Sequence, residues 1–168
     1  EDNMKVFIDY VGDNEKDIVS CLDICEKTFF KYTNGVRSYI QGMADWDISL
    51  KAIYDNKIVG CYILNEDSVA TIKSNTGFNV SKYKNLKGLH GVGLAVLEEY
   101  KGLGIGKELR DFPCNNMLNY DYIFGMHLES LKNLEHWKKI REVVSTTSTM
   151  HITLQDFSKK RKLLEAVI

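Results

Sequence analysis

Residues 91 to 110 constrain this chain more than any other stretch. An apolar, strand-like run from Val92 to Leu97 is followed by a short charged segment, Glu98-Glu-Tyr-Lys101. Gly102, Gly104 and Gly106 then stand at alternate positions, and Lys107-Glu-Leu-Arg110 reads as a helix start. A strand that feeds a glycine turn at a helix N-terminus gathers unpaired backbone N–H groups at one point, where the helix dipole also favours negative charge. Glycines without a Cβ let a ligand come close to the main chain. The pattern predicts a cradle for a phosphate or pyrophosphate, and so a nucleotide-type cofactor. A tight connection into a helix needs fewer glycines than these three.

Spacing decides which cradle this is. A P-loop requires Gly, four residues, then Gly-Lys-Ser/Thr. Counted back from Gly106-Lys107, the first position is Lys101, and the residue after Lys107 is Glu108, so the match fails at both ends. The dinucleotide fingerprint Gly-x-Gly-x-x-Gly also fails, because from Gly102 it ends on Lys107 and from Gly104 on Leu109. Gln/Arg-x-x-Gly-x-Gly/Ala does fit, as Lys101-Gly-Leu-Gly104-Ile-Gly106 with lysine at the first position. With Leu94-Ala-Val96 and Tyr100 before it, the stretch resembles the acetyl-CoA motif of the GNAT superfamily of N-acetyltransferases.

The order of elements agrees with that resemblance over nearly the whole chain. Lys5 to Val11 reads as a strand, closed by Gly12-Asp13-Asn14. Ile18, Cys21, Leu22, Cys25 and Phe29 recur at helical spacing and predict an amphipathic helix over 17–30. Ile48–Tyr54 and Lys57–Leu64, joined by Asp55-Asn56, predict a hairpin. A strand over 91–97 and a helix from about Gly104 follow. Strands over 120–128 and 148–154 flank a helix expected at 132–144. Pro113, the only proline, removes a helical hydrogen bond and predicts a kink or break near Asp111-Phe112. The expected architecture is α/β (α+β): a GNAT-like mixed, mostly antiparallel central sheet flanked by helices, its strand pair splayed at the acetyl-CoA site. Residues 1–168 read as a single acetyltransferase domain.

The resemblance implies roles residue by residue. Leu94, Ala95, Val96 and Leu97 occupy the strand that meets the pantetheine arm of acetyl-CoA, the expected co-substrate. The amides of Lys101, Gly102, Leu103, Gly104, Ile105, Gly106 and Lys107 would hold the pyrophosphate. Lys107 could add its charge, or be a solvated lysine, and Glu98 and Glu99 read as solvated loop charges. Many members carry a tyrosine acid in a pattern Asn-x6-Tyr-x-Lys-x-Gly-Phe. Laid here, it puts Ser130 at the Asn, Trp137 at the Tyr and Lys139 at the Lys, and only the lysine survives. An indole N–H has no acidic hydroxyl to give a thiolate. Ser130, Asn133 and Trp137 are therefore expected beside the cofactor, with Trp137 equally readable as a core residue. Some members place a glutamate base five residues before the position of Ala95, and His90 stands there; imidazole titrates near neutral pH. A solvent-exposed histidine before Gly91 is the other reading. His127 and Glu129 are second choices for the base.

Composition limits the partners. A net charge of −1 offers no basic surface for nucleic acid. No apolar run approaches the roughly 20 residues of a membrane helix, and no secretory segment is visible, so no membrane partner is expected and the compartment reads as cytoplasmic. Cys21, Cys25, Cys61 and Cys114 show no zinc spacing; Cys21 and Cys25, four apart, read as reduced thiols on a buried helix face. The acceptor is expected to be a small-molecule or peptide amine, and the protein a monomer or homodimer. Segment 31–47, with Tyr32, Arg37, Tyr39, Asp45, Trp46 and Asp47, could recognise a cationic amine or be an ordinary polar connection. The long link 65–89, with its basic stretch 82–87, could steer an anionic partner or be a solvated loop. The competing functional class is a non-catalytic acyl-CoA-binding or sensing module that kept the glycine turn and lost the acid.

Overall fold

The computed structural model describes residues 5–29, 35–67, 85–128, 142–146, 150–158 and 160–162. The chain forms two compact units, one of residues 1–65 and 92–113, the other of 66–91 and 114–168. In the first unit, β1 (Phe7–Tyr10) pairs antiparallel with β2 (Leu50–Tyr54), and β2 with β3 (Lys57–Asp67). Asp55 and Asn56 join β2 to β3 with φ of 52° and 58°. Two consecutive left-handed residues make the primed turn whose twist suits a hairpin, and Asp and Asn tolerate it best after glycine.

Two helices cover one face of this sheet. Helix α1 (Glu15–Phe29) starts where Asn14 Oδ1 accepts the Asp17 N–H at 3.1 Å, and it carries Glu15 and Asp17 in its first turn and Lys27 in its last. Cys21, Leu22, Ile24 and Cys25 form its buried stripe. Helix α2 (Val36–Met43) buries Val36 and Ile40, one turn apart. Both stripes close on Cys61 and Ile63 of β3 and on Ala95. Below them the buried Ser49 hydroxyl donates to the Asp45 carbonyl at 2.8 Å and accepts the Leu64 N–H at 3.0 Å, which fixes the entry to β2.

In the second unit the start of β4 (Gly88–Val96) pairs parallel with β5 (Tyr122–Leu128), Gly88 opposite Tyr122 and Gly91 opposite Gly125. Strand β7 (Met150–Asp156) lies antiparallel between β5 and β6 (Glu142–Thr146). The strand order is β1-β2-β3-β4-β5-β7-β6, a mixed and mostly antiparallel sheet. Among the described residues no helix is long and apolar enough to cross a membrane.

Three expectations change. Residues 142–144, expected to end a helix over 132–144, lie in strand β6; the rest of that expected helix falls outside the described residues. Segment 31–47, expected either to recognise a cationic amine or to be an ordinary polar connection, contains α2. Helix α3 (Ile105–Asn116) is not broken before Pro113 but runs through it to Asn116. Carbonyls at and just beyond the end of α3 have a side-chain partner. Arg161 donates from Nε to the Cys114 carbonyl at 3.0 Å, from Nη1 to Tyr120 at 2.6 Å and from Nη2 to Met117 at 3.2 Å. Its guanidinium also lies over the Phe157 ring. Arg161→Met keeps the stem and removes every donor, so it should cost about 2 kcal/mol. That is a fall of roughly 4–8 °C in melting temperature, and an unchanged melting curve would show that water replaces the clamp.

Candidate functional site

Strand β4 leads into the site with its side chains alternating between two environments. Ala95 is buried under α1 and α2, and a Cβ on Gly93 would meet Phe29 at 3.3 Å and Ile40 at 3.4 Å on that same face. Leu94 and Val96 turn the other way, toward α3, each within 4 Å of where a Cβ on Gly106 would sit. Opposite Val96, Gly60 of β3 supplies the room: a Cβ there would lie 3.1 Å from the Ala95 carbonyl and 3.4 Å from Ile105 Cγ2. The sequence reading missed Gly60, although glycine inside a strand signals a close approach. The recorded β4–β5 pairing ends at Gly91 and Gly125, and β4 continues for five further residues, 92 to 96.

The chain leaves the sheet where the Leu97 N–H donates to Val59 at 2.8 Å. Glu98–Tyr100 forms a 3-10 turn, not a loop, with the Tyr100 and Lys101 amides donating to Leu97 and Glu98. Glu98 and Glu99 are exposed, and Glu98 pairs with Lys101 Nζ at 2.7 Å. The amide and the charge of Lys101 therefore both have partners within the turn. Tyr100 anchors the turn edge-on to Tyr54 of the hairpin, centroids 5.7 Å apart, with Lys57 Nζ 5.8 Å above its ring.

Gly102 and Gly104 follow with φ of 85° and 81°, and nothing lies within 4 Å of a Cβ placed on either. Buried Ile105 and Leu109 then seat α3 on the sheet. The first helical bond runs from the Glu108 N–H to the Gly104 carbonyl at 3.0 Å. The six N–H groups from Gly102 to Lys107 precede it, and among the described residues none donates a main-chain hydrogen bond. Lys107 is exposed at the helix start. Open space, unspent donors and the positive end of a 12-residue helix coincide here. This arrangement can take an anionic group of phosphate size without displacing a side chain.

His90 lies within β4 and is buried, its ring stacked on Phe124 of β5 with centroids 4.7 Å apart. That replaces the reading of it as an exposed loop residue. His127 lies on β5 opposite His151 of β7. Glu129, Ser130, Asn133 and Trp137 fall outside the described residues.

No family model matches the sequence, and no curated protein matches it. Solved structures do match in shape. Naa50 of Arabidopsis thaliana, in complex with the bisubstrate analogue CoA-Ac-MVNAL, superposes with a TM-score of 0.62 at 16% identity, over 90% of this chain and 98% of that one. The PaiA N-acetyltransferase of Thermoplasma acidophilum, in complex with coenzyme A, gives 0.60 at 13% identity, over 91% and 99%. The polyamine N-acetyltransferase of Drosophila melanogaster gives 0.63 at 7% identity, over 90% and 100%. The chain has the GNAT fold. At these identities the likeness speaks for the GNAT backbone arrangement. The glycine turn of this GNAT-fold chain is the local feature that its own sequence supplies.

Proposed function

We propose that residues 1–168 act as one acetyl-CoA-dependent N-acetyltransferase domain, moving an acetyl group directly to a primary amine of a small molecule or a peptide. The observation that carries this reading is the row of six N–H groups from Gly102 to Lys107 that donate no main-chain hydrogen bond among the described residues, opened by two left-handed glycines. It suits the pyrophosphate of coenzyme A, which solved neighbours of the same fold bind. Leu94 to Leu97 would lie along the pantetheine arm. Four cysteines with no disulfide among the described residues suit a reducing compartment such as the cytoplasm.

In the transfer the amine nitrogen attacks the thioester carbonyl and the carbon–sulfur bond breaks. The amine loses a proton, and the departing thiolate gains one. Attack needs the neutral amine, so a base is required near pH 7. We assign that role to His90, with Glu129 and His127 as the other candidates. His90→Gln should leave acetyl-CoA binding intact and lower kcat/KM by roughly 10²-fold. A rate within a few-fold of wild type would make His90 a packing partner of Phe124 and nothing more.

Trp137 in the position of the usual tyrosine acid favours a second reading, an acyl-CoA-binding module without turnover. Two measurements separate the readings. Acetyl-CoA should raise the melting temperature under both, because it binds the native state. Release of free CoA in the presence of a panel of peptide and polyamine acceptors should occur only under the first. No thermal shift at saturating acetyl-CoA would sink both.

A further inference from the structure

We propose that Cys25 of α1 and Cys61 of β3 form a disulfide when the protein is exposed to a peroxide, cross-linking the helix to the sheet. The two sulfurs are 3.5 Å apart, both fully buried and both free. A disulfide bond is about 2.05 Å long, so each sulfur needs to move only roughly 0.7 Å. Both belong to one core cluster with Cys21, Leu22, Ile63 and Ala95, so no solvent separates them. The pairing joins residues 36 positions apart in sequence.

The step balances. One thiol is oxidised by the peroxide to a sulfenic acid with release of water. The neighbouring sulfur then attacks the sulfenic sulfur, and its proton leaves with the hydroxyl as a second water. Two electrons pass from the thiols to the peroxide and one S–S bond forms.

The surroundings set how fast this happens. Hydrogen bonding of the Cys61 S–H to Cys21 and Cys25, with burial, holds this thiol well above its ordinary pKa. Its Sγ also lies 3.7 Å from the Cys21 carbonyl. A buried thiol of this kind is slow to react while α1 is seated. Oxidation is therefore gated by local lifting of α1 from β3, a motion far smaller than global unfolding. Once formed, the link pins α1, whose last residue, Phe29, lies against Gly93 of β4. Peroxide thus converts a packed helix–sheet contact into a covalent one. This inference stands on the thiol geometry and is independent of the functional reading.

The test uses the reduced full chain treated with hydrogen peroxide, with and without sub-denaturing urea. Intact mass should fall by two hydrogens, faster in urea, and non-reducing peptide mapping should join Cys25 to Cys61. The linked chain should melt roughly 5 °C or more higher, because the closed loop restricts the unfolded state, and dithiothreitol should reverse both changes. Cys25→Ala should lose the mass change; if that variant does not fold, the wild-type peptide map decides alone. Oxygen gain without a link, a link through Cys21 or Cys114, or no reaction in urea would each overturn the pairing. A linked chain that melts no higher would show that the bond does not fit the native packing.

Discussion

Gly104→Val is expected to weaken acetyl-CoA binding by at least 100-fold and to abolish the ligand-induced rise in melting temperature, while the fold survives. Gly104 holds φ at 81°, a left-handed conformation that costs an L-residue about 1–2 kcal/mol. For a chain of 168 residues that lowers the melting temperature by only a few degrees. The added Cβ meets no protein atom within 4 Å, so nothing in the free protein is forced apart. The branched side chain would instead occupy the open side of the turn, where the N–H groups of residues 102–107 donate no main-chain hydrogen bond among the described residues. Losing that approach by 100-fold corresponds to about 2.7 kcal/mol of binding free energy. Gly12→Val is the matched control. Gly12 has a φ of 68° and equally open space, so it carries the same strain away from the turn. Isothermal titration should give wild-type affinity for Gly12→Val and none measurable for Gly104→Val. Equal affinities in the two variants would remove the glycine turn from the site.

How much of this could be read from sequence depends on whether the cause was local. Asp55-Asn56 between two alternating runs announces its own turn, and the three glycines before Lys107 announce theirs. Helix α2 was hidden because its apolar stripe is only Val36 and Ile40, set among Arg37, Ser38 and Tyr39 in eight residues. Strand β6 was missed for the opposite reason. The helical spacing earlier in 132–144 runs on into Val143-Val144-Ser-Thr, whose β-branched Val143, Val144 and Thr146 prefer a strand. Pro113 lacks an N–H, yet α3 continues past it to Asn116, and the Cys114 carbonyl just after it is held by Arg161, 48 positions from the proline in sequence. His90 shows the same limit. Gly88 and Gly91 weaken the strand signal around it, so the strand was expected to begin at Gly91 when it begins at Gly88. Gly88 answers to a neighbour distant in sequence, the Tyr122 ring, and a single sequence does not display such a contact.

That contact gives the largest expected loss of stability. Tyr122 is fully buried and stands opposite Gly88 across the parallel β4–β5 pair. A Cβ on Gly88 would overlap Cζ, Cε2 and Oη of its ring. Neither partner can yield cheaply: one is strand backbone, and the other is a fully buried ring in a close-packed interior. Gly88→Ala should therefore cost about 3 kcal/mol or more, at the upper end of overpacking penalties. Tyr122→Leu alone should also destabilise, by roughly 2 kcal/mol, through the cavity it leaves. The two losses should not add. With the ring gone the alanine methyl has somewhere to go, so the double variant should recover at least about 1 kcal/mol relative to the sum, measured by urea denaturation of all four proteins. If the losses add, the clash is relieved by main-chain movement and the Gly88–Tyr122 contact does not set the spacing of β4 and β5. If they couple as expected, this one ring explains why the strand that leads to the glycine turn must itself begin with glycine.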